Sequence, residues 1–148
     1  MTTVEAIPAA TDRSMSQVVT ETVRAFRTQV PECVIAALVD MSTGMLLAVD
    51  TLDDYSGDEL DLLAAATFDL FQGRNVGIIA DVVNGGKADR RYFQEMVVHS
   101  AAMLHIFLRS AKNPDLVAVV ICRRATNMGM LLAQARVVMK QMDAGFSG

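Results

Sequence analysis

The chain is 148 residues long with a formal charge of -4, so it lacks the basic surface on which non-specific binding to nucleic acid depends. It is 52% hydrophobic with 5% aromatic residues and no Trp, which puts the apolar mass in Val, Leu, Ala and Met and provides for one core, not two. The N-terminus lacks the basic, apolar and small-residue sections of a secretory signal, and no apolar run approaches the roughly 18 residues needed to span a bilayer, so a cytoplasmic single domain is expected.

Residues 1–11, with Pro8 and small side chains, read as a flexible tail, as do residues 143–148, which leaves a domain at 12–142. A first helix is predicted from Asp12 or Ser14 to about Gln29. Its apolar stripe is Met15, Val18, Val19, Val23 and Phe26, and it ends before Pro31. Cys33 to Asp40 and Met45 to Thr51 are apolar, β-branched runs joined by Met41-Ser42-Thr43-Gly44, a connection that predicts an antiparallel hairpin. Cys33, like Cys122 further on, sits in a strand-like apolar run and reads as a buried reduced thiol.

After the acidic loop Leu52 to Tyr55, a long helix is predicted from Ser56 to Gly86. Ser56 is placed to cap it and Glu59 to complete a capping box, while Asp58, Glu59 and Asp61 put negative charge at the positive end of the helix dipole. Gly85 and Gly86 supply a left-handed stop. Gly73 and Gly77 each cost about 1 kcal/mol inside a helix, and Val76 to Val83 also has the length of a strand. Asp81 would interrupt that strand and Gly73-Arg74-Asn75 is a weak turn, so one continuous helix is favoured. Its apolar residues Phe68, Phe71, Ile79 and Val83 read as core, as dimer seam, or as both.

Three strands follow in a meander: Tyr92 to His99, Met103 to Arg109 and Leu116 to Arg123. Neither connection has room for a crossover helix. The last strand is apolar at successive positions, which predicts a sheet covered by helices on both faces. Asn127 is placed to cap a final helix carrying Leu131, Leu132, Ala135, Val138, Met139 and Met142. The expected class is therefore α/β (α+β), a five-stranded mixed or antiparallel sheet in the order α-β-β-α-β-β-β-α.

No catalytic constellation emerges. Asp53, Asp54, Asp58, Glu59 and Asp61 lack the spacing of a calcium loop and are explained as a charged helix start. Gly85-Gly86-Lys87 lacks the spacing of a phosphate loop, and no acid is placed to orient His99 or His105. Neither a metal nor a cofactor is expected.

The element order, with VIAALVDMSTGMLLAVDT and DLLAAATFDLF, resembles the Roadblock (dynein light chain) family across about Asp12 to Met142, with Asp40 and Gly44 at the hairpin and Leu63-Ala64-Ala65-Ala66 in the long helix as its best local signals. The resemblance implies a profilin/longin-like fold and a homodimer in which third strands pair across a two-fold while the long helices pack side by side. A free strand edge and a self-complementary C2 contact allow the same arrangement on physical grounds. The dimer contact would then fall on Phe68, Phe71, Ile79, Val83, Tyr92, Gln94 and Met96. The family's members serve as non-enzymatic regulators or platforms for Ras-like small GTPases and in some cases as motor-complex light chains. A GTPase partner is thus implied, with Arg90, Arg91 and Arg124 as candidate contacts. The rival readings are a small-molecule sensor of PAS or GAF type and a purely structural subunit.

Overall fold

The computed structural model describes residues 14–124 and 127–146, so the predicted tail at 1–11 lies outside the described residues. Four helices and five strands are found among them. The first helix, α1 (Met15–Gln29), opens with a capping box in which Ser14 Oγ accepts from the Gln17 amide and Gln17 accepts from the Ser14 amide. Its stripe of Val18, Val19, Val23 and Phe26 is buried.

Strands β1 (Cys33–Asp40) and β2 (Met45–Thr51) form the predicted hairpin. The Asp40 carboxylate accepts from the Ser42 amide and hydroxyl at 2.9 and 2.7 Å, and Gly44 takes a φ of 74° that favours glycine. These bonds hold the Asp40 carboxyl below its ordinary pKa, the Ser42 hydroxyl contributing most. The remaining strands are β3 (Glu95–His99), β4 (Met103–Arg109) and β5 (Leu116–Arg123). The sheet runs β2-β1-β5-β4-β3 and every neighbouring pair is antiparallel.

Both faces of the sheet are covered. On one side α1 and the last helix, α4 (Met128–Gly145), bring Phe26, Leu131, Ala135 and Val138 against Ala36, Leu38, Leu104, Ile106, Ala118 and Val120. On the other, Ala64 and Phe71 pack with Ala37, Val39, Phe107, Val117 and Val119. This is why β1 and β5 read as unbroken apolar runs. Asn127 caps α4 as expected, accepting from the Met130 amide at 2.9 Å. The helix continues past Met142, and Asp143 at its end accepts from Ser110 Oγ and the Ala111 amide.

The predicted long helix is corrected in one respect: it is two helices, α2 (Gly57–Gln72) and α3 (Arg74–Val83), separated by Gly73. The start is as expected, with Ser56 and Glu59 closing a capping box. At Gly73 the ψ of -179° turns the backbone out of the helical ladder, and a new one begins where the Val76 amide donates to the Gly73 carbonyl at 3.1 Å. A Cβ at this position would lie 2.4 Å from the Asp69 carbonyl oxygen, so only glycine fits without a shift. The stop is also as expected, with φ of 66° at Gly85 and 99° at Gly86.

The third strand is corrected too. It starts at Glu95, so Tyr92 and Gln94 lie before it. The Gln94 carbonyl still accepts a ladder bond from the Arg109 amide at 2.9 Å, and the Phe93 carbonyl before it accepts from Arg109 Nε at 3.0 Å.

Candidate interaction surface

The sequence nominates a surface and not a reaction centre, and the structure sorts its members. Phe71 is not on that surface: it is 0% exposed, its ring stacks on Phe107 with centroids 6.1 Å apart, and the Arg109 guanidinium lies over it. Phe68 is half-buried against the same cluster. Ile79 and Val83 are exposed, and they belong to an apolar stripe with Ile78 and Val82 on the side of α3 away from its buried Val76, Gly77 and Ala80. Val82 is 76% exposed. Leu62 and Leu70 on α2 are likewise open.

The break at Gly73 explains this sorting. In one continuous helix, Phe68, Phe71, Ile79 and Val83 share a face. Restarting the ladder at Gly73 uncouples the phase of the last two from that of the first two. On one unbroken helix the missed members Ile78 and Val82, seven and eleven residues beyond Phe71, would fall within about 20° of its buried face, so it is the restart at Gly73 that leaves them exposed.

β3 is an edge strand, hydrogen-bonded to β4 alone among the described residues. Met96 is half-buried on the α2 face of the sheet, Tyr92 is half-buried beside Phe93 with ring centroids 5.6 Å apart, and Gln94 is exposed, its side chain donating to the Arg91 carbonyl. Glu95 holds the edge to α4 through a two-pronged pair with Arg136, at 2.9 and 2.6 Å. Those bonds keep the Glu95 carboxyl below its ordinary pKa.

The three candidate arginines do not converge. Arg91 donates to Asp115 at 2.6 Å, in the turn between β4 and β5, and exposed Arg90 packs its side-chain stem near Gly77 of α3. Arg124 lies at the opposite end of the sheet, where its amide donates to the Ala102 carbonyl in the β3–β4 turn. The length of β4, roughly 20 Å, separates the two positions.

Arg109 escaped notice in the sequence because it ends an ordinary apolar strand. It is 7% exposed, and desolvation holds its pKa below the usual guanidinium value. Among the described residues no group of three or more His, Cys, Asp or Glu side chains comes together, and no helix is long and apolar enough to cross a membrane.

No family model and no curated protein sequence matches the chain. Solved structures do. The gliding protein MglB from Thermus thermophilus is similar at a TM-score of 0.69 and 15% identity, over 90% of this chain and 92% of that one. MglB from Myxococcus xanthus is similar at 0.61 and 16%, over 85% and 89%. A Roadblock/LC7 domain from Streptomyces avermitilis is similar at 0.61 and 21%, over 82% and 91%. At these identities it is the architecture that is shared, and the chain has the Roadblock fold.

Proposed function

We propose that the chain is a cytoplasmic homodimer that acts without chemistry of its own, as a regulator or scaffold binding a Ras-like small GTPase or an associated signalling or motor complex. The observation that carries this reading is the open apolar stripe of α3, Ile78, Ile79, Val82 and Val83, in a Roadblock fold whose β3 edge is unpaired among the described residues. Pairing β3 with its copy across a two-fold would satisfy the edge and leave α2 and α3 of both copies on one side of a continuous sheet.

Such a dimer offers two copies of any partner site. Arg90 and Arg91 lie on the loop beside α3 and would supply electrostatic complementarity at its rim, where charges act on association rate and salt dependence. An arginine entering a GTPase active site would instead change stimulated hydrolysis by roughly three orders of magnitude or more. The rim effect is expected.

The test is a titration of the purified protein against small GTPases of the same genome, each loaded with GDP and with a non-hydrolysable GTP analogue. Light scattering on the protein alone accompanies it. A dimer mass and binding that depends on nucleotide state support the reading; a monomer at micromolar concentration, or no partner in either state, overturns it.

A further inference from the structure

Cys33 and Cys122 face each other across the two central strands. They are register partners at the start of β1 and near the end of β5, and both side chains belong to the core on the α1 and α4 side. The amide of Arg123 donates to the carbonyl of Glu32 at 3.0 Å, so the residues flanking the pair carry the ladder bond and the cysteines occupy a non-hydrogen-bonded position. Such positions bring Cα atoms to about 4.5 Å, within the roughly 4.4–6.8 Å that disulfides span. The register shifts immediately after Cys33, and Glu32 before it has a φ of 61°, so the backbone here departs from a regular ladder on both sides of the thiol. Both cysteines are free and buried.

We propose that Cys33 and Cys122 form a redox modification site, a dithiol that a peroxide closes into a cross-strand disulfide. One thiolate attacks the peroxide; its sulfur takes one oxygen as a sulfenic acid while the O–O bond breaks and the other oxygen leaves as hydroxide. The second sulfur then displaces the sulfenic hydroxyl, which leaves as water, and the S–S bond forms. In sum, two thiols and one hydrogen peroxide give one disulfide and two waters.

Two further features fit this chemistry. Cys33 Sγ donates to the Ile35 carbonyl at 3.4 Å, and the nearness of the two sulfurs raises the pKa of Cys33 and lowers that of Cys122, with Arg27 adding positive charge near Cys33. Cys33 also opens its strand directly after exposed Pro31 and Glu32, so fraying of the strand end admits a small oxidant without unfolding the sheet.

The experiment uses the full chain, reduced, freed of reductant and treated with hydrogen peroxide. It is then denatured in an alkylating agent and weighed intact. The expected result is a species that has lost two hydrogens and takes up no alkyl group, melts several degrees higher than the reduced protein, and reverts with dithiothreitol. The Cys33→Ser and Cys122→Ser variants should show neither the mass change nor the rise. Two alkylated thiols after treatment, a stable sulfinic acid, or a disulfide found only between chains would each overturn the proposal. The mass readout on the unsubstituted chain stands even if a variant fails to fold.

Discussion

The Arg109 guanidinium sits 4.9 Å from the centroid of the Phe71 ring, and it clamps the end of α2 to the sheet. Its Nη1 donates to Gln72 Oε1 at 2.6 Å and to the Pro114 carbonyl at 2.7 Å, while Nε holds the Phe93 carbonyl. Arg109→Met keeps much of the stem's packing but strands the three acceptors. A loss of about 2–4 kcal/mol is expected by urea denaturation. A loss under about 0.5 kcal/mol would show that these acceptors find other partners.

Gly73→Ala should destabilise the fold, because the new methyl meets the Asp69 carbonyl oxygen. A cost of about 1–3 kcal/mol is expected, the range of an overpacked site. A higher melting temperature would mean instead that α2 and α3 straighten into one rod when glycine is removed.

Val82→Asp separates monomer stability from assembly. Val82 is so exposed that the substitution should change the stability of one chain by no more than about 0.5 kcal/mol. If α3 meets its copy, the buried aspartates would shift sedimentation towards monomer at the same concentration. Unchanged mass with unchanged stability would remove α3 from the dimer contact.

Burial holds His105 below its ordinary pKa of 6.5, so the unfolded chain binds this proton more readily than the folded one. Its contribution is fully present above about 6.5 and is lost as pH falls through the folded value. Glu95, lowered by Arg136, adds a second loss below its ordinary 4.5. His105→Asn should flatten the melting temperature between the two windows and leave the acid limb in place. An unchanged slope would assign that window to another group.

The strands were legible because turn chemistry fenced them. Asp40 with Gly44 marks the end of β1 and the start of β2, and Asn113-Pro114-Asp115 marks the end of β4 and the start of β5. The caps at Ser56 and Asn127 were legible for the same reason, since a short polar side chain before an apolar run has few other uses. Gly73 was not. A helix crosses one glycine at small cost, and no local pattern encodes that this one takes a ψ of -179°, where any Cβ would meet the Asp69 carbonyl oxygen. β3 was drawn too long because Tyr92 and Phe93 favour strands, whereas the ladder to β4 goes no further than the bond from the Arg109 amide to the Gln94 carbonyl. The apolar surface was found in part: its helix was named, but the face was assigned from a phase that stops at residue 73.

The single non-helical residue between α2 and α3 also insulates one helix from changes in the other. A residue inserted into an unbroken rod rotates everything beyond it by about 100°, which here would have carried the α3 stripe out of register with the core-facing side of α2. With the ladder restarted at Gly73, an insertion or deletion within α3 turns only α3, and Phe71 stays under Arg109. The outer stripe of α3 therefore keeps its phase only with the buried Val76, Gly77 and Ala80 of its own helix, and a single-residue step within α3 would turn that buried face with it.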